Sequence, residues 1–188
     1  TGIRRQRQMC IRDRYKDMGP IKEALTFDDV TLAPKYPSVL PSDVQTETSL
    51  TSNLQLKIPL ITSAMDTVTE AKMAIAIAKA GGIGVIHRNL SVKKQVIEIK
   101  KVKSLGLKVG AAVGAGTNEF ERAKEILKCK IDLIVVDTAH GHTKKVGEII
   151  KKIKKIKPRS VSLCAGNVAT EDSAKFLIKL GVDIIKVG

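Results

Sequence analysis

Aromatic residues are nearly missing from this sequence: no tryptophan, two tyrosines and three phenylalanines in 188 residues. Proteins that hold single-stranded nucleic acid stack successive bases on aromatic side chains, so that class is disfavoured at once. Cysteine is scarce too. Cys10, Cys129 and Cys164 are an odd number without metal-ligand spacing, which argues against a disulfide framework and a zinc site. No apolar run approaches the ~20 residues of a membrane-spanning helix. The basic opening stretch is not followed by an apolar segment, so no secretory signal is read and a cytoplasmic protein is expected.

Acidic residues are also in short supply, 19 against 33 lysines and arginines, for a formal charge of +14. A binding stripe for a polyanion would concentrate that charge. Here the lysines from Lys144 to Lys157 interleave with Val146, Ile149, Ile150, Ile153 and Ile156 at helical spacing. They read as the solvated face of an amphipathic helix, and nucleic acid is not expected as a partner.

What the chain does contain is a repeated unit. Leu133 to Val136 is a short β-branched run that stops on Asp137, followed by Thr138, Ala139, His140, Gly141 and His142. A continuous apolar run of this length reads as a strand buried on both faces. The pattern recurs at Ile58–Met65, Gly82–His87, Lys108–Val113, Val161–Asn167 and Asp183–Gly188. Successive units start about 25 residues apart, enough for a strand, a helix and two short loops. Strands alternating with helices predict a parallel sheet, in which ligands gather at the C-terminal strand ends. Predicted helices follow each strand. Thr67 or Thr69 is expected to cap the first, with Met73, Ala74, Ile77 and Ala78 inward. Ser91 caps the second, over Val92, Val96, Ile99 and Val102. Phe120, Ala123, Ile126 and Leu127 stripe the third, and Thr170 to Ser173 opens the last, over Phe176 and Leu177.

Two segments stand outside this repeat. Residues 1–14 have no hydrophobic period, and Arg4, Arg5, Arg7, Arg12 and Arg14 against Asp13 give them +4. They resemble the in-frame translation of a sequencing adapter and are read as an adapter-derived artefact. Residues 15–57 read as an extended lead-in, broken by Pro34, Pro37 and Pro41, with Ser49 to Gln55 a turn-rich link.

Seven motifs then fall in register: Leu25–Val30, Ser63–Glu70, Gly81–His87, Val109–Val113, Val135–His142, Ala165–Val168 and Ile185–Gly188. Together they resemble the inosine-5′-monophosphate (IMP) dehydrogenase family, which includes GMP reductase as a second, poorer match. The resemblance implies an α/β fold, a (β/α)₈ TIM barrel of which residues 58–188 supply about six of eight strand–helix units. It implies an NAD-dependent oxidoreductase of guanine nucleotide biosynthesis that oxidises IMP to XMP through a cysteine adduct, with a potassium ion and a homotetrameric assembly. It places Ser63, Met65 and Asn167 at the substrate, and Asp137, Thr138, Ala139 and Gly188 at NAD. Asp137 suits that role chemically, since a carboxylate accepts two hydrogen bonds from a ribose diol.

Other readings of these residues remain. Met65 also fits a core gap-filler, Ser63 a strand-end cap, Asp137 a helix cap and Asn167 a turn residue. His87 and Arg88 fit either a ligand contact or a sheet-end cap. His140-Gly-His142 lacks a third ligand and reads as loop, so no metal site is expected. Cys164, mid-strand, reads as a buried small side chain, and the nucleophilic cysteine is expected beyond Gly188.

Two departures from the family pattern stand out. The run Lys101–Lys108 joins the second helix directly to the next strand, where the family usually carries a pair of regulatory CBS modules. The motifs also stop before the cysteine loop. Six parallel strands cannot close a barrel and leave two open edges. The 188-residue polypeptide alone is therefore expected to aggregate and to form no NADH at saturating IMP and NAD. Turnover above background in that assay would refute this expectation.

Overall fold

The computed structural model describes residues 25–26, 28–36 and 38–188. The readings made for residues 1–14, Cys10 included, lie outside the described residues. The chain divides into two compact units, Thr1–Val44 and Gln45–Gly188. In the first, the described residues carry no strand and no α-helix. Thr26 starts a turn in which its N–H and Oγ1 donate to Asp29 Oδ2 at 2.8 and 3.0 Å. Pro41–Asp43 forms a single 3₁₀ turn, with proline at its start where no backbone N–H is needed.

The second unit carries the repeat. A hairpin, β1 (Thr48–Thr51) and β2 (Leu54–Leu56), precedes β3 (Ile61–Thr62). Then come α1 (Ala71–Lys79), β4 (Ile83–Ile86), α2 (Val92–Lys103), β5 (Val109–Val113) and α3 (Glu119–Leu127). β6 (Leu133–Asp137), α4 (Lys144–Ile156), β7 (Ser162–Val168), α5 (Glu171–Leu180) and β8 (Ile184–Val187) complete it. Strands β3 to β8 form one six-stranded sheet in chain order, every pairing parallel. The sheet curls as a partial TIM barrel, six strands alternating with helices, as the sequence implies.

Side-chain alternation divides each strand between two cores. Ile134 and Val136 of β6 join the cluster beneath the helices, with Ile99, Ile126, Ile150, Ile153 and Leu177. Leu133 and Val135 point the other way, into a cluster with Val85, Ala112 and Cys164. Both sets are buried, which is why β6 reads as an unbroken apolar run rather than an alternating one.

The hairpin corrects the reading of Ser49 to Gln55 as a link. Leu50, Leu54 and Leu56 alternate with polar residues, and the antiparallel pairing turns their side chains onto the inner cluster. Thr51 Oγ1 meets Ser162 Oγ at 2.7 Å, and Asn53 Nδ2 donates to the Arg159 carbonyl at 2.8 Å. The hairpin thus covers the N-terminal end of the sheet. The first predicted strand is also shorter than expected, Ile61–Thr62 rather than Ile58–Met65.

Acidic residues fasten the same end of the sheet. Asp132, just before β6, accepts from the Val109 N–H and from Lys103 Nζ, both at 2.9 Å. Asp183, just before β8, accepts from the Leu163 N–H at 2.7 Å and lies 3.4 Å from Lys157 Nζ. In each case a carboxylate takes an N–H at the start of the neighbouring strand, the first residue of β5 and the second of β7, and a lysine from the end of the helix before that strand.

Helix caps follow the sequence with one correction. Ser91 accepts from the Lys94 N–H, and Thr170 forms a reciprocal capping box with Ser173. Neither Thr67 nor Thr69 caps α1. Thr69 is fully buried and bonds Thr62 Oγ1 and the Ser63 carbonyl instead. The orphaned Ala71 N–H donates to Glu98 Oε2 of α2 at 2.9 Å. Burial alone would raise the Glu98 carboxyl, but the Lys101 ammonium and the Ala71 N–H outweigh it and hold it below its usual value. Met73, expected inward, is 42% exposed, because α1 is seated on Ala71 and Ala74.

That seating depends on a glycine. A Cβ added at Gly84 would lie 2.5 Å from Ala74 Cα. Gly84→Ala is expected to push α1 off the sheet and destabilise the protein by about 1–3 kcal/mol, the usual cost of overpacking a filled core. A shift in the urea midpoint at unchanged slope would measure it. A wild-type midpoint would refute it. Among the described residues no helix is long and apolar enough to cross a membrane. No described strand pairs with the outer edge of β3 or β8.

Candidate functional site

Parallel strands deliver their C-terminal ends to a common rim, and the polar residues after each strand meet there. A cavity of about 450 Å³ opens at this rim. Residues after β3 (Ala64, Met65, Asp66), after β4 (Arg88, Asn89), from β6 onward (Asp137, Thr138, Ala139), in β7 (Asn167) and in β8 (Lys186) line it. A second, more apolar cavity of about 380 Å³ runs along the inner face of the sheet and includes Ser63, Val85, Val135 and Cys164. Ala64 and Lys186 border both.

The backbone of the rim is bonded strand to strand. Thr138 N–H and Oγ1 both donate to the Gly166 carbonyl at 2.9 Å. Asn167 N–H donates to the Thr138 carbonyl, and Gly141 N–H to the Asn167 carbonyl, each at 2.7 Å. The approach requires small residues. A Cβ at Gly141 would lie 2.9 Å from the Asn167 carbonyl oxygen, and one at Gly166 would run into the Lys186 carbonyl. The Asn167 side chain cannot leave, yet its Oδ1 is buried without a hydrogen-bond partner. A buried acceptor without a donor costs about 1–3 kcal/mol and invites a ligand donor.

The charges on the cavity wall are mostly spoken for. Asp137 Oδ1 accepts from Lys186 Nζ at 2.7 Å. Asp66 Oδ2 accepts from Asn89 Nδ2 at 2.7 Å, which holds its carboxyl below the usual value. His87 is not on the wall. It lies buried beneath the rim, Nε2 at 3.5 Å from Glu70 Oε1. His142 stacks on Phe176 with ring centroids 4.8 Å apart. Among the described residues no group of three or more His, Cys, Asp or Glu is placed to hold a metal.

Of the residues named from sequence, Met65, Asp137, Thr138, Ala139 and Asn167 share the rim cavity. Ser63 lies on the inner cavity instead. Gly188 lines neither. Its N–H donates to the Val168 carbonyl at 3.2 Å, and a Cβ on it would lie 3.2 Å from Asn167 Nδ2. Asp66, Asn89 and Lys186 were not singled out. Lys186 had a readable signal, as the one charged residue within the apolar run of β8.

A curled parallel sheet with polar residues gathered at its C-terminal rim defines a partial TIM barrel with a polar rim cavity. The description "IMP dehydrogenase / GMP reductase domain" matches residues 24–188, and the chain belongs to that family. Relatives named inosine-5′-monophosphate dehydrogenase come from Borreliella burgdorferi, 42% identical over 217 residues, and Cryptosporidium parvum, 41% over 212. Each alignment takes in 89% of this chain and 54% or 52% of the relative. A third, from Aquifex aeolicus, is 31% identical over 296 residues, 89% of this chain and 60% of the relative. The chain thus spans about half the length of the curated relatives it matches. All three alignments are longer than the 188-residue chain, so each relative carries residues without a counterpart here.

The described cysteines are poor nucleophiles. Burial pushes the Cys164 thiol up to about 12. Burial also raises Cys129, at the end of α3. Only the thiolate attacks, so at pH 8 roughly one Cys164 in 10⁴ is reactive. Iodoacetamide followed by peptide mass spectrometry is expected to leave Cys164 unlabelled through pH 9 in the folded protein and to label it once unfolded. Rapid labelling in the folded state at pH 8 would show the thiol to be activated.

Proposed function

We propose that this chain forms the nucleotide-binding half of an enzyme that oxidises IMP to XMP with NAD, in guanine nucleotide biosynthesis. The observation that carries the reading is the rim cavity, where Asp137, Thr138, Ala139 and Asn167 converge beside Met65. Family membership and three relatives named inosine-5′-monophosphate dehydrogenase support it.

The cavity chemistry fits a dinucleotide. NAD accepts the hydride when bound. Asp137, a carboxylate at a strand end, would accept from the two ribose hydroxyls, with Thr138 and Ala139 lining the same cavity. Asn167 offers an unfilled buried acceptor, Oδ1, to a ligand N–H or hydroxyl. Ser63 and Met65 contact IMP from the β3 side, and Ala64 between them borders both cavities, so the two ligands meet there. Gly188, against Asn167, opens the segment that approaches the nicotinamide and leads to the potassium-binding cysteine loop. The covalent step is assigned to a cysteine other than Cys129 and Cys164, because burial raises both thiols and disfavours the thiolate. The assembly is proposed to be a homotetramer in the cytoplasm.

In the full-length gene product, Asp137→Ala is expected to lower kcat/KM for NAD at least tenfold while the dissociation constant of IMP changes less than twofold. Initial-rate NADH formation and calorimetric titration of IMP measure the two. An unchanged KM for NAD would remove Asp137 from the cofactor site. Reduction of GMP by NADPH in place of IMP oxidation would assign the reductase reaction instead.

A further inference from the structure

Four charged residues line the rim cavity: Asp66, Asp137, Lys186 and Arg88. Asp66 is held by Asn89, and Asp137 by Lys186. Arg88 makes no hydrogen bond or ion pair among the described residues, so it is the one wall charge left uncommitted. Arg88 is exposed, and its guanidinium rests close to one backbone position. The guanidinium lies across Gly114, the first residue past β5. A Cβ there would stand 3.0 Å from Arg88 Cζ, 3.1 Å from Nη1 and 3.2 Å from Nε.

A buried network holds both shoulders of this contact. The Gly114 N–H donates to Glu119 Oε2 at 2.6 Å. Glu119 Oε1 accepts from Arg122 Nε at 3.3 Å. Arg122 donates from Nη2 to the Leu90 carbonyl at 3.0 Å and from Nη1 to Gln95 Oε1 at 2.8 Å. Gln95, fully buried, donates from Nε2 to the carbonyls of Ile86 and Ala112 at 3.3 and 2.9 Å. One set of side chains therefore ties the ends of β4 and β5 to the two loops that carry Arg88 and Gly114.

We propose that Arg88, laid on the Gly114 that the Gln95–Arg122–Glu119 network holds in place, is the residue that recognises the diphosphate of the dinucleotide. This rests on the reading of the rim cavity as the NAD site. A guanidinium is planar, weakly hydrated and permanently charged, and its donors match two phosphate oxygens at once. A phosphate could also come from the mononucleotide. The diphosphate is the better match, because Arg88 shares its cavity with all of Asp137, Thr138 and Ala139 but, of the IMP residues Ser63 and Met65, only with Met65.

The test is calorimetric titration of the full-length gene product with NAD, ADP-ribose, IMP and inosine, each at 50 and 300 mM salt. Arg88→Gln is expected to weaken NAD and ADP-ribose at least tenfold and to flatten the salt dependence of both, with IMP and inosine within twofold of wild type. Gly114→Ala should reproduce the loss through displacement of the guanidinium, and Arg88→Lys should restore only part of it. Unchanged NAD affinity in Arg88→Gln overturns the proposal and leaves the proposed function standing. A loss of IMP but not inosine or NAD binding also overturns it, by assigning Arg88 to the monophosphate. A wild-type protein that binds IMP but neither dinucleotide ligand overturns both readings.

Discussion

A strand buried on both faces can offer polar chemistry only at its ends, and the rest of this structure follows from that limit. Strands β4 to β7 are enclosed between the helix layer and the inner cluster. A charged side chain within them would cost several kcal/mol unless paired. The sequence accordingly holds its carboxylates back to the residues just before and just after the strands. Because every pairing is parallel, the two kinds of end separate in space. One end becomes a structural seam and the other a rim open to ligand.

The two ends use the same residue type for opposite purposes. Asp132 and Asp183 each use one oxygen, Oδ2, to meet both a strand N–H and a lysine at the end of the helix before that strand. They close the sheet and leave little for a ligand. At the far end Asp137 meets only Lys186, and Asn167 keeps an acceptor unfilled. The asymmetry is physical. Groups that hold the fold have their hydrogen bonds satisfied, and groups that face a ligand are left with capacity. Asn167 is kept in this position by its own backbone, whose N–H and carbonyl both bond the Thr138–Gly141 loop.

Much of this could be read from residue order alone. The β6 run, the helix beneath Ile149, Ile150 and Ile153, and the caps at Ser91 and Thr170 are local features, with signals a few residues long. What failed to show was set by partners far away in sequence. Thr69 looks like a cap until Thr62 and Ser63 claim its hydroxyl. Gln95 looks like a surface residue on a helix, yet it is buried because Arg122 and two strand carbonyls satisfy it. The β1–β2 hairpin was overlooked because its period-two pattern spans only a few residues on either side of Ser52-Asn53. At the site, residues with a motif around them were legible. Lys186 and Arg88 were less so, since their meaning lies in what faces them across the cavity.

The Lys186–Asp137 pair shows why a ready-made ion pair and a ligand site can be the same thing. The two side chains are 38% and 24% exposed, so water screens their attraction. Such pairs contribute only about 0.2–1 kcal/mol. That is enough to fix the carboxylate's rotamer at the rim and too little to keep a better partner out. Hydrogen bonds to a charged acceptor contribute about 1.5–3 kcal/mol each, and a diol supplies two in one rigid arrangement. On the proposed reading, the lysine holds Asp137 in place until ribose hydroxyls take it over. The freed ammonium then lies between the two cavities that Lys186 borders, close to where nucleotide and dinucleotide would meet. The pairs at the opposite end of the sheet are about as exposed, but each of those carboxylates also holds a strand N–H, so an exchange there would break the sheet's own bonding.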